Sequence, residues 1–81
     1  MWFVYILVCS DDSLYTGITT DTNRRLREHN SGKGSKYVRS RCPANIIWVE
    51  PGHTRSSALK REAKIKSFSR KEKLQLVDTP L

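Results

Sequence analysis

Residues 2–9, Trp-Phe-Val-Tyr-Ile-Leu-Val-Cys, would present apolar side chains to both faces of any strand they form. A β-branched and aromatic segment of this kind must be covered on both sides, which makes it the central strand of a sheet. The run is too short to span a bilayer, has no basic segment before it and no small-residue cleavage motif after it. The expectation is a cytoplasmic protein with no membrane partner. Ser10-Asp11-Asp12-Ser13 marks a turn, and residues 14–20 read as a second strand closing a hairpin. A three-residue loop at 10–12 pairs Cys9 with Ser13, Leu7 with Tyr15 and Tyr5 with Gly17. Tyr5 and Tyr15 then lie on one face as diagonal neighbours, and Gly17 leaves open space above the sheet opposite Tyr5. A two- or four-residue loop would put the tyrosines on opposite faces.

Further along, Thr20-Asp21-Thr22 has the chemistry of an N-cap and predicts a helix over about 22–30, closed by Gly32. Leu26 is its only large apolar residue, so a mostly solvated helix with few contacts is expected. Residues 31–45 form a Gly-, Ser- and base-rich connection, long for an 81-residue domain and so marked as functional. Ile46-Ile47-Trp48-Val49 reads as a third strand, ended by Pro51-Gly52. Thr54 or Ser56 opens a helix to about Ser67, and the capping box Ser69-Arg70-Lys71-Glu72 starts a last helix to about Val77. The order ββαβαα predicts one α+β domain over residues 1–81, a small three-stranded, mostly antiparallel sheet flanked by helices. Cys9 and Cys42 have neither zinc spacing nor the number for a disulfide framework, and Cys9 reads as a small buried hydrophobe.

Charge divides the chain. All 15 Lys and Arg residues lie from Arg24 onward, so the first 23 residues carry −3 and the rest +10. A strongly basic remainder behind an acidic lead fits a polyanion-binding surface, nucleic acid being the commonest partner. Arg25 and His29 stand i,i+4 on the first helix, a spacing that suits phosphate: a fork of donors beside a titratable ring. Arg24 and Arg27 flank them. In the connection, Lys33, Lys36, Arg39 and Arg41 suit contacts to a nucleic-acid backbone, and Tyr37 suits stacking on a base. Glu62 is out of place on a helix over 55–67, whose apolar stripe reads as Ala58, Leu59 and Ile65 with Ala63 at the margin. It falls within that stripe while Lys60, Arg61 and Lys64 point elsewhere. A carboxylate facing the body of a domain must be paired, protonated or bound to a cation.

Taken together, Phe3-Val4-Tyr5, Tyr15-Thr16-Gly17 and the following Arg25, His29 and Glu62 resemble the GIY-YIG endonuclease family. The likeness spans nearly the whole chain and is greatest to the small stand-alone bacterial members. Phe3 replaces the family's first glycine, and no Asn follows Glu62. The resemblance implies a metal-dependent endonuclease acting on DNA. Tyr5 would serve as general base or orient the attacking water, and Tyr15 would position that water or the phosphate. Arg25 would stabilise phosphoryl charge with His29 assisting or relaying a proton, and Glu62 would hold one Mg²⁺ or Mn²⁺. So small a domain has little surface for reading a long site, so selection by structure rather than sequence is expected. The other class open to these residues is a non-cleaving nucleic-acid-binding module of the same fold, acting in DNA repair or processing.

Overall fold

The computed structural model describes residues 1–78. The elements are β1 (Trp2–Val8), β2 (Leu14–Thr19), α1 (Thr22–Asn30), α2 (Lys36–Arg39), β3 (Asn45–His53), α3 (Arg55–Lys66) and α4 (Arg70–Asp78). The apolar β1 is central in a three-stranded sheet ordered β2-β1-β3, antiparallel to both neighbours. The α+β architecture is the one expected. So is the hairpin register: Tyr5 faces Gly17, Leu7 faces Tyr15, and the Cys9 amide donates to the Ser13 carbonyl at 2.9 Å.

Period-two alternation sends β1 side chains into two separate cores. Val4 and Ile6 pack with Trp48, Ala58 and Ile65 beneath α3, joined by Phe68, Leu76 and Val77. Tyr5, Leu7 and Cys9 pack on the opposite face with Val38, Ala44, Tyr15 and Leu26, beneath α1 and α2.

Several expectations need correction. The connection after α1 is not a plain loop: Ser35 caps the short helix α2, whose Val38 is fully buried. Both ends of this segment are pinned. Asn30 pairs through its side-chain amide with both backbone groups of Ala44, at 2.7 and 3.0 Å, and the Ser10 amide donates to the Arg41 carbonyl at 2.9 Å. Helix α1 is anchored less by Leu26 than by His29, which is wholly buried. Strand β3 does not stop at Pro51-Gly52 but continues to His53 across an irregularity in register that accommodates both residues.

Thr54, not Ser56, caps α3, in a reciprocal box with Ser57. The stripe of this helix is also rotated from the sequence reading, since Leu59 is 41% exposed. At roughly 100° per residue, Ala58 and Ile65 fall within about 20° of each other, and Leu59 lies about 100° round from Ala58. Arg61 and Glu62 instead flank the buried line on opposite sides. Arg61 therefore turns to the sheet and pairs with Glu50 of β3 at 3.0 Å, rather than pointing away.

Replacing Ile65 by Ala should cost about 2–5 kcal/mol, the range for deleting a fully buried aliphatic side chain. Leu59→Ala should change stability by no more than about 0.5 kcal/mol, as for exposed sites. Equilibrium denaturation of the two variants measures which residue lies under the sheet.

Candidate active site

Tyr5 can reach α1 because its partner in the ladder is glycine. A Cβ on Gly17 would lie 2.5 Å from Tyr5 Oη and 2.6 Å from Cζ, so the phenol ring occupies the space any other side chain would need. Leaning across β2 in this way, Tyr5 is only 1% exposed, and its hydroxyl meets His29 Nε2 at 2.9 Å. The ring of Tyr15 meets His29 edge-on, with centroids 5.4 Å apart, and stacks on Tyr37 at 6.0 Å. Backbone packs against the far side of the imidazole, since a Cβ on Gly34 would collide with His29 Nδ1 and Cγ. This glycine was not singled out in the sequence, although Gly between Lys33 and Ser35 is the kind of residue a close approach requires.

His29 Nδ1 is buried without a hydrogen-bond partner. Which atom of the Tyr5 Oη–His29 Nε2 pair donates follows the histidine tautomer. Burial lowers the pKa of His29, and the Arg25 charge lowers it further, so the ring is neutral at physiological pH. Burial also pushes Tyr5 up to about 12, with the Arg25 guanidinium pulling downward and the Tyr15 and Glu62 charges pushing upward. Being fully buried, His29 does not present itself to a phosphate beside Arg25, as their i,i+4 spacing suggested.

Arg25 is half-buried and pairs with Glu28 at 3.3 Å. Glu62 comes from the opposite layer. Helix α3 packs chiefly on β2 and β1, and Lys66, paired with Glu62, lies over Tyr15 of β2. The Glu62 side chain is 18% exposed, with Oε2 3.6 Å from Lys66 Nζ, and that ammonium lies 5.9 Å from the Tyr15 ring centre. The charge of Glu62 is felt at Tyr5. Five sequence-designated residues, Tyr5, Tyr15, Arg25, His29 and Glu62, thus converge at the outer edge of β2. Lys66 and Glu28 join them; as ordinary helix-surface charges they carried no signal in the sequence.

Of the surface residues, Arg24, Arg27, Lys33, Lys36 and Arg39 are exposed around α1 and α2. Arg41 lies 3.9 Å over the Tyr37 ring and pairs with Asp11 at 3.1 Å. Tyr37 is 40% exposed but already engaged by Tyr15 and Arg41, so stacking on a base requires Arg41 to give way.

The described residues include no cluster of three or more His, Cys, Asp and Glu able to hold a metal. A lone, half-sheltered carboxylate does not fit zinc, which asks for several protein ligands. It does fit Mg²⁺, which keeps most of its waters and shares substrate phosphate. No helix among the described residues is long and apolar enough to cross a membrane.

These pKa directions fix the shape of stability against pH. Below about 6.5, the ordinary histidine value, the unfolded chain takes up a proton that folded His29 resists, so stability falls as pH drops. Above 10 the unfolded Tyr5 ionises while the folded one holds its proton to about 12, so stability falls as pH rises. His29→Gln should flatten the acid limb and Tyr5→Phe the alkaline limb in denaturation midpoints across pH. Tyrosinate absorbance should show a component near pH 12 that is lost in Tyr5→Phe and displaced in Gly17→Ala.

Comparison with known proteins bears on the family and the fold. The model of the GIY-YIG catalytic domain matches residues 1–75. A UPF0213 protein of Haloquadratum walsbyi is 55% identical over 76 residues, covering 94% of this chain and 85% of the relative. One from Staphylococcus aureus is 49% identical over 75 residues, covering 93% and 92%. The solution NMR structure of a UPF0213 protein from Bacillus halodurans aligns with TM-score 0.60 at 45% identity, over 95% of this chain and 83% of that one. That of an E. faecalis protein aligns with TM-score 0.62 at 47% identity, over 93% and 80%.

Proposed function

The chain belongs to the GIY-YIG family, a family of nucleases, and from that premise we propose that it is a cytoplasmic, single-domain, metal-dependent endonuclease hydrolysing phosphodiester bonds in DNA, selective for structure rather than sequence. The observation that carries the reading is the convergence of two tyrosines, an arginine and a carboxylate on one sheet edge, with the carboxylate supplied from the opposite layer.

In this reading the tyrosinate form of Tyr5, reached by loss of its phenolic proton to solvent and held by the His29 Nε2 hydrogen, takes a proton from the attacking water. His29 is a positioning residue: its N–H and the Arg25 guanidinium stabilise the tyrosinate. Tyr15, backed by His29 and Tyr37, steers water and phosphate. Arg25 exchanges its weak tie to Glu28 for the phosphoryl oxygens, a charge-assisted fork that strengthens as charge develops. Glu62 would hold one Mg²⁺ or Mn²⁺, which when bound supplies Lewis-acid stabilisation of the leaving oxygen and lowers nearby pKa values. The exposed Arg24, Arg27, Lys33, Lys36 and Arg39, with Tyr37 and the half-buried Arg41 on its release from Asp11, take the flanking backbone.

One observation favours a second reading. Tyr5 is so buried that it titrates near 12 in the free protein, which suits a non-cleaving nucleic-acid-binding module acting in DNA repair or processing. Incision assays with Mg²⁺ or Mn²⁺ over branched, nicked, single-stranded and duplex DNA, and over RNA, separate the two. Cutting by wild type should fall about 10²–10³-fold in Glu62→Gln, the scale for removing one charge-stabilising group, while binding stays nearly intact. The cleavage rate of wild type should climb with pH through the neutral range as the base form of Tyr5 grows, and Tyr5→Phe should lose both rate and slope. Binding without cutting under either ion would favour the second reading. DNA affinity that does not weaken as salt rises would count against both.

A further inference from the structure

A cleft of about 210 Å³ opens beside the proposed centre, lined by Trp2, Ile18, Thr19, Arg24, Arg25 and Glu28 among others. Beyond Arg24, Arg25 and Glu28, its walls have no part in the mechanism above. We propose that this cleft holds a single unpaired base adjoining the scissile phosphate, stacked on Trp2, so that the substrate is single-stranded or splayed on one side of the cut. The inference rests on the nuclease reading for its position and adds the substrate class.

Position comes first. Gly17, over which Tyr5 lies, and Thr19, which lines the cleft, are two residues apart on β2, or about 7 Å at the rise of a strand. Arg25 belongs to both, so a strand whose phosphate meets Arg25 places its next nucleotide at the cleft mouth. The same side of α3 runs past both places. Lys66 lies by Tyr15, Glu62 acts on Tyr5, and the Arg55 guanidinium stands 6.0 Å from the Trp2 ring centre.

Shape and chemistry then narrow the occupant. The volume is below the roughly 300–1,000 Å³ of sites for drug-sized ligands, so one ring system enters and a longer segment does not. Trp2 and Ile18 are partly buried apolar side chains, which suits a base face. Exposed Arg24 and half-buried Arg25 stand where a phosphate follows the base. Glu28 repels a second phosphate inside the cleft and accepts from a base edge that carries N–H donors. A paired base in a duplex could not present its face to Trp2, so the base must be out of the stack.

Binding separates this from the cleavage reading. Short single-stranded oligodeoxynucleotides are compared in EDTA, where nothing is cut, with the matching oligomers lacking bases, which keep the same backbone charge. Wild type should favour the base-bearing strand by about tenfold or more, within the 1–3 kcal/mol of one stacked base. Trp2→Ala should erase that preference while leaving affinity for the abasic strand unchanged, and Trp2→Phe, which also preserves the core contact, should retain most of it. A preference that is absent, or that survives in Trp2→Ala, overturns the proposal whether or not the protein cuts DNA. In the cleavage arm, an unpaired flank should be cut at least tenfold faster than intact duplex, and an abasic residue beside the cut should abolish the advantage. Equal cutting of both overturns the substrate class while leaving the nuclease reading standing; no cutting of any substrate counts against the nuclease reading alone.

Discussion

The hydrogen bond from His29 to Tyr5 joins residues 24 apart in sequence and ties α1 to the central strand. Most of the candidate site depends on it. Its length of 2.9 Å is possible only because Gly17 lets the phenol pass over β2 and Gly34 lets backbone close on the imidazole. Tyr15 rests on the same ring, and Tyr37 rests on Tyr15. A buried polar pair is costly unless satisfied. Here one nitrogen of His29 is satisfied and the other is not. The tautomer of His29 therefore decides whether the Tyr5 hydroxyl donates to Nε2 or accepts from it.

The sheet and its register were legible because the constraint was local. Residues 2–9 are apolar on both faces, and of the loop lengths left open by residues 10–13 the three-residue one forms, which places Tyr5 opposite Gly17. The charge split was equally visible. Less legible was everything decided by distance in space. His29 looks like a surface base on a polar helix, yet it is the anchor of that helix, because the stabilising partner lies on a strand far back in the chain. The ordered segment around α2 could not be read from Gly-, Ser- and Lys-rich sequence, since Val38 and the two bonds of Asn30 to Ala44 supply its order.

Glu62 of α3 is sheltered as its place in the sequence predicts, but beside the buried line rather than within it, and Leu59 is exposed. Glu62 does turn toward the body of the domain, with its side chain largely sheltered. Leu59 reads with Ala58 because both are apolar, although adjacent residues on a helix lie about 100° apart. When the stripe is as short as Ala58 and Ile65, one large apolar residue in the wrong place moves its apparent centre. Glu50 breaks the tie, since its bond to Arg61 draws that side of the helix toward β3 and leaves the other side to face β2.

This rotation explains how a domain with two small cores assembles a single site. Arg61 and Glu62 flank the buried line of α3, one toward β3 and the other toward β2. A rotation of α3 by one residue, about 100°, would bury neither Ala58 nor Ile65 properly and would carry Glu62 away from Tyr5. Core packing on one face of the sheet therefore sets electrostatics on the other. The tyrosines, Arg25 and His29 are held by the α1 face, the carboxylate by the α3 face, and they meet only because β2 is an edge strand around which a side chain can reach. A strand added outside β2 would separate the two halves, so the small size of the sheet is itself a condition for the site.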